Sequence, residues 1–236
     1  MVSAMDGTRT RRSRLGSEAG FSLVELLVAS AVSLLVVGGA VVVTTQVQQG
    51  YGQQLDTASS EQEARYALDW IQRLLRQAGS DPYNIRTSPC LPAGMLPSVN
   101  GFPAVQRDPN GNGIDDDIRI FADSNPPDRL IGGPGPAPGG CTQAGEDMTV
   151  RYDAANRVIT LFDNNQPALG TLTMTDSVVS SLRFAYRDRN QVATTNMAEL
   201  AWVGVTVTTQ AKIRDPHTGQ FAAFILSVDV RLRPRW

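Results

Sequence analysis

A lone carboxylate, Glu25, interrupts an otherwise uncharged apolar run from Phe21 to Val43. Placing a carboxylate at mid-bilayer costs about 2.5 to 3.5 kcal/mol on insertion scales, so Glu25 calls for a partner or for a position one turn inside the boundary, where water reaches it. A second group of oxygens lies in Asp108-Pro-Asn110-Gly-Asn112-Gly113-Ile114-Asp115-Asp116-Asp117. Asp108, Asn110 and Asn112 stand at positions one, three and five, Gly113 at six, the Ile114 carbonyl at seven and Asp116 at nine. With that spacing a short loop wraps a calcium ion. At position twelve Arg119 replaces the bidentate glutamate, and the other acids at hand are Asp115 and Asp117. Asp, Asn and Gly are also turn residues, so a plain acidic turn is the competing reading.

The sulfur and nitrogen inventory is short. Cys90 and Cys141 are too few for a four-thiolate zinc site, and the single histidine, His217, leaves little for a mixed one. In an oxidising compartment the two cysteines are expected to bridge, closing a loop worth on the order of 4 kcal/mol in the chain-entropy account. His217 sits in an Asp-Pro-His-Thr-Gly turn, with no G-x-S-x-G elbow for it to serve and no P-loop in the chain. An enzyme is not expected, nor any cofactor apart from the calcium reading. With Lys+Arg 21 against Asp+Glu 23 and a formal charge of -2 there is no basic field to draw in nucleic acid, and no direct nucleic-acid site is evident.

The elements that position these residues follow from patterning. As a helix, Phe21 to Val43 is roughly 35 Å long, enough to cross a hydrocarbon layer of about 30 Å. Arg9, Arg11, Arg12 and Arg14 precede it against Asp6 and Glu18, which predicts a cytoplasmic start and a head on the far side. No proline interrupts the chain before Pro82, and Ala64, Ala67, Leu68, Ile71, Leu74, Leu75 and Ala78 recur at helical spacing. One helix from Phe21 to about Gln77, roughly 85 Å long, is therefore predicted, stopped by Gly79-Ser80-Asp81-Pro82. Its second half is two-faced: the apolar stripe packs on a sheet, while Arg65, Asp69, Arg73 and Arg76 form a wet side with i,i+4 pairs such as Asp69 with Arg73.

The order Gly20, Phe21, Ser22, Leu23, Val24, Glu25 at the mouth of an apolar helix resembles the class III leader of type IV pilins and type II secretion pseudopilins. The segment ARYALDWIQRLLRQAG, Ala64 to Gly79, resembles the helix end of minor pilins of the PilW kind and, more loosely, pseudopilin J. The resemblance implies cleavage by a prepilin peptidase after Gly20 and methylation of the new amino terminus at Phe21. It implies that Glu25 pairs with a neighbouring subunit's ammonium during assembly. Other major and minor pilins and an inner-membrane assembly platform would be the partners. The expected place is the bacterial inner membrane, single pass with a periplasmic head, and then the pilus. A J-like secretion pseudopilin and a membrane-tethered adhesive module are the alternatives.

The remainder reads as a β-rich head. Alternating runs are predicted at residues 117–122, 148–152, 158–162, 171–174, 180–186, 202–208 and 223–232. Leu182, Phe184 and Tyr186, then Val203, Val205 and Val207, then Phe224, Leu226, Val228, Val230 and Leu232 make the buried face. Short turns such as residues 153–156 predict an antiparallel sheet. The stretch from Pro82 to about Asp116 reads as low in order, and GGPGPAPGG between Ile131 and Cys141 as a mobile loop. The expected organisation is a leader at 1–20, a transmembrane helix half at 21–43, an amphipathic half at 44–79 and a head at 80–236. The fold class is α+β, a long helix on an antiparallel sheet, type IV pilin-like.

Overall fold

The computed structural model describes residues 20–81, 90, 103–124, 127–133, 140–215 and 218–233. The leader ahead of Gly20, most of the GGPGPAPGG loop and His217 lie outside the described residues.

Helix α1 runs Leu23–Gln77 without a break. It stops where glycine was expected to stop it: Gly79 adopts φ +71°, a conformation an L side chain resists, and its N–H donates to the carbonyl of Phe121 at 2.9 Å. The chain divides after Gly50 into two compact units, Met1–Gly50 and Tyr51–Trp236. In the first, α1 exposes large apolar side chains all round, Phe21, Leu23, Val24, Leu26, Leu27 and Val28 among them. In the second, α1 buries Ser60, Ala64, Ala67, Leu68, Ile71 and Leu75 along one stripe, with Leu74 only partly covered. On the opposite side Arg73 meets Asp69 at 2.6 Å and Arg65 meets Glu61 at 2.6 Å. Both pairs are exposed and contribute a few tenths of a kcal/mol each.

Eight strands follow: β1 (Val105–Arg107), β2 (Asp117–Phe121), β3 (Asp147–Asp153), β4 (Val158–Asp163), β5 (Thr171–Thr173), β6 (Val179–Arg187), β7 (Trp202–Arg214) and β8 (Phe221–Arg231). They form two antiparallel meanders, β1-β2-β3-β4-β5 and β6-β7-β8, where the alternation had suggested one sheet. The split occurs because β5 is a short edge of three residues and the chain then re-enters at Val179, pairing β6 with β7. Strand β1 is a further correction, lying in the stretch read as low in order. It is too short to show alternation, and it forms because β2 offers it an edge.

The stripe on α1 and the inward residues of both sheets make one core. Ala64, Ile71 and Leu75 join Ile118, Val150 and Ile159 of the first sheet and Leu182, Val203, Val205 and Val207 of the second. The alternation in β8 has the expected phase, but Phe224, Leu226 and Val228 are half-buried and only Val230 and Leu232 are fully covered. As the edge strand of its sheet, β8 has a neighbour on one side only. Polar bonds tie α1 to the second sheet: buried Thr209 donates its hydroxyl to the Ser60 carbonyl at 2.9 Å, and the Ile213 N–H donates to Asp56 at 2.8 Å.

Candidate functional site

The start of α1 has a geometry that explains two of its residues together. Ser22 is the N-cap: its carbonyl accepts the first helical hydrogen bond, from the Leu26 N–H at 3.1 Å. Its hydroxyl accepts from the Glu25 N–H at 3.1 Å, and the Glu25 carboxylate accepts from the Ser22 N–H at 3.3 Å. This is a reciprocal capping box, which satisfies two helix-end donors and places a negative charge where the helix dipole favours it. Glu25 is thus not an orphan charge in the apolar run. Gly20 and Phe21 lie just outside the helix, and Phe21 is 82% exposed.

Three hydroxyls further along the apolar helix are also satisfied internally. Ser30 donates to the Leu27 carbonyl, Thr44 to Ala40 and Thr45 to Val41, at 2.6–2.8 Å. Back-bonded hydroxyls of this kind need no water, which suits a helix whose surroundings are lipid or other apolar helices. The helix is long and apolar enough to cross a membrane.

Cys90 and Cys141 are joined by a disulfide, Cα to Cα 5.6 Å. Around it the structure reveals two carboxylates that sequence reading did not single out. Glu146 is fully buried, and its oxygens accept the N–H groups of Ser124 at 2.9 Å and Gly132 at 2.8 Å. Asp123, also buried, accepts from the N–H groups of Asp128 and Arg129; burial raises its pKa while those two donors pull it down. Each carboxylate gathers loop amides that no strand satisfies, so the pair organises the segment leading into the bridge. Gly132 sits at φ +84° with no room for a Cβ, which would lie 2.9 Å from the Cys90 Cβ. Glu146→Ala strands the buried Gly132 N–H and removes the acceptor of the part-buried Ser124 N–H, and is expected to lower stability by roughly 2 kcal/mol in a denaturant titration, with Glu146→Gln, which keeps one acceptor oxygen, in between.

The oxygen-rich loop is described throughout. Asp108, at φ +46°, accepts the N–H groups of Asn112 at 3.0 Å and Gly113 at 2.7 Å, and Asn112 accepts that of Ile114 at 2.7 Å. Gly111 and Gly113 take positive φ, as the coil requires. Asp115 turns away to a two-point ion pair with Arg107, at 2.5 and 2.8 Å. Asp117 is 0% exposed, and neither of its oxygens accepts a hydrogen bond; Arg151 Nε stands 3.4 Å from Oδ2. Burial, reinforced by Asp116 and Asp108 against the pull of Arg151, raises its pKa to about 6. Arg119, at position twelve, is paired with buried Asp147 and takes no part in the loop. Among the described residues no three His, Cys, Asp or Glu side chains converge as a metal cluster, so an ion here would rely on amide and main-chain oxygens as well.

Beside the loop, Pro109 and the outward residues of β2 to β5 line a cavity of about 350 Å³. Its two guanidinium groups, Arg119 and Arg151, are already matched by Asp147 and Asp117. The cavity therefore lacks an unmatched charge with which to select an anion.

Comparison with known proteins places the recognisable part of the chain at its start. A family model described as the prokaryotic N-terminal methylation motif matches residues 15–41. No curated protein and no solved structure matches the chain significantly. The matched span includes Gly20, Phe21, the capping box and most of the apolar helix. It supports a pilin or pseudopilin role, with membrane anchoring by the apolar helix and processing by a prepilin peptidase.

Proposed function

We propose that this chain is a minor pilin of the PilW kind, a structural and priming subunit of a type IV pilus rather than a catalyst. The observation that carries the reading is the methylation motif at residues 15–41 on a helix that is apolar and exposed on every side through its first half. A helix of that kind leaves lipid only for the company of other apolar helices, so a bundled filament core is its natural destination. Cleavage after Gly20 leaves an ammonium on Phe21 beside the Ser22–Glu25 cap. Glu25 then has two uses: it caps its own helix and offers a carboxylate to the ammonium of a neighbouring subunit. The disulfide-bonded, β-rich head is carried on the periplasmic side, and other pilins and the inner-membrane assembly platform are the partners.

Deleting the gene and scoring piliation, twitching and DNA uptake beside secretion of folded enzymes tests the proposal. Loss of pili and motility with intact secretion is the expected result. Loss of secretion with normal pili would assign the chain to a secretion pseudopilus, and loss of surface adhesion alone would make it a tethered binding module.

A further inference from the structure

We propose that the loop Asp108–Asp116 is a calcium site, with side-chain oxygens of Asp108, Asn110, Asn112 and Asp116 and the Ile114 carbonyl as ligands, and with Asp117 as a buried charge beside it. The inference is independent of the pilin reading.

The spacing alone would be equally consistent with an acidic turn, and three features of the structure favour the ion. The first is Asp117, which is wholly buried yet accepts no hydrogen bond, with one guanidinium nitrogen at 3.4 Å as its only described cation. The ion pair with Arg151 balances its charge, but a buried carboxylate with no hydrogen bond is only partly compensated, and each such group needs an explanation. The second is Asp116, whose Oδ1 is likewise buried without a partner although its main-chain carbonyl is used by the Tyr152 N–H. Asp116 and Asp117 are consecutive, and Asp108 closes the same loop on the N–H groups of Asn112 and Gly113, so three carboxylates belong to one short segment. The third is what has been removed from the loop: Asp115 is committed to Arg107, and Arg119 is held by Asp147, so neither competes for the space. A divalent cation would neutralise the remaining acids, using the unpartnered Asp116 Oδ1 together with lone pairs left on the Asp108, Asn110 and Asn112 oxygens that already accept N–H groups. Without a bidentate glutamate at position twelve the affinity should fall with the extracellular modules, on the order of 10⁻⁴–10⁻³ M.

The test uses the full chain in detergent, with equilibrium dialysis against calcium and thermal unfolding in calcium or chelator. One calcium per chain is expected, and a melting temperature about 5–10 °C higher when calcium exceeds its dissociation constant a hundredfold. Asp108→Asn with Asp116→Asn should abolish both effects while melting in chelator like the parent chain in calcium-free buffer. Absence of bound calcium at 10 mM, or calcium binding and a melting shift that persist in the double variant, would overturn the site. Because the dialysis result on the unmodified chain is decisive by itself, a misfolded variant does not blunt the test.

Discussion

Glu25→Ala is expected to insert into the membrane, lose its leader normally and then be absent from assembled filaments. Removing the carboxylate eases insertion, since it deletes the one charged side chain in the apolar run, so any defect must arise after insertion. The capping box makes a sharper experiment available, because Glu25 does two jobs that can be separated. Glu25→Gln keeps an acceptor for the Ser22 N–H, as glutamine serves at the same cap position, but removes the charge. Ser22→Ala keeps the charge and removes the hydroxyl that accepts from the Glu25 N–H, at a cost of about 1 kcal/mol in helix-end stability. If the charge governs assembly, Glu25→Gln fails like Glu25→Ala while Ser22→Ala assembles. If fraying of the helix end is the cause, the order is reversed. The readout is the subunit content of sheared filaments beside the processed fraction in membranes, and normal assembly of Glu25→Gln would refute the role assigned to the carboxylate.

The largest stability effect is expected from the double variant Cys90→Ser with Cys141→Ser. The bridge spans a sequence separation of 51, and closing a loop of that size is worth about 4 kcal/mol in the chain-entropy account. For a domain of this size that corresponds to a fall of roughly 8–16 °C in melting temperature. The local setting adds to the effect, for the bridge abuts Gly132, and Gly132 is held by the buried carboxylate of Glu146. The double variant and Glu146→Ala should therefore be less than additive, since both release the same segment. Unfolding curves of the oxidised chain, the reduced chain and the variants would show this. Two titratable thiols in the native, unreduced protein would remove the premise.

The start of the chain was legible because its physics is local. An apolar stretch long enough to span lipid with a basic flank ahead of it needs no tertiary partner to be read, whereas the reciprocal bonds of Ser22 and Glu25 came only from the structure. The helix stripe and the longer strands were legible for a related reason: Ile71, Leu75, Leu182 and Val205 recur with the period of their element, and each is fully or almost fully buried. What the amino-acid order could not show is where pairing stops. The division into two sheets depends on β5 ending after Thr173 and on β6 choosing β7, both decided by which edges the fold leaves open. Strand β1 depends in the same way on an edge supplied by β2. The roles of Glu146, Asp123 and Asp117 were hidden for a different reason. A carboxylate in a polar stretch reads as solvated, and only the packed structure decides that Glu146 gathers two loop amides, or that Asp117 is fully buried with the Arg151 guanidinium as its ion-pair partner and no hydrogen bond. Periodicity reports which face of an element is covered; the fate of a single charge depends on what the rest of the chain brings next to it.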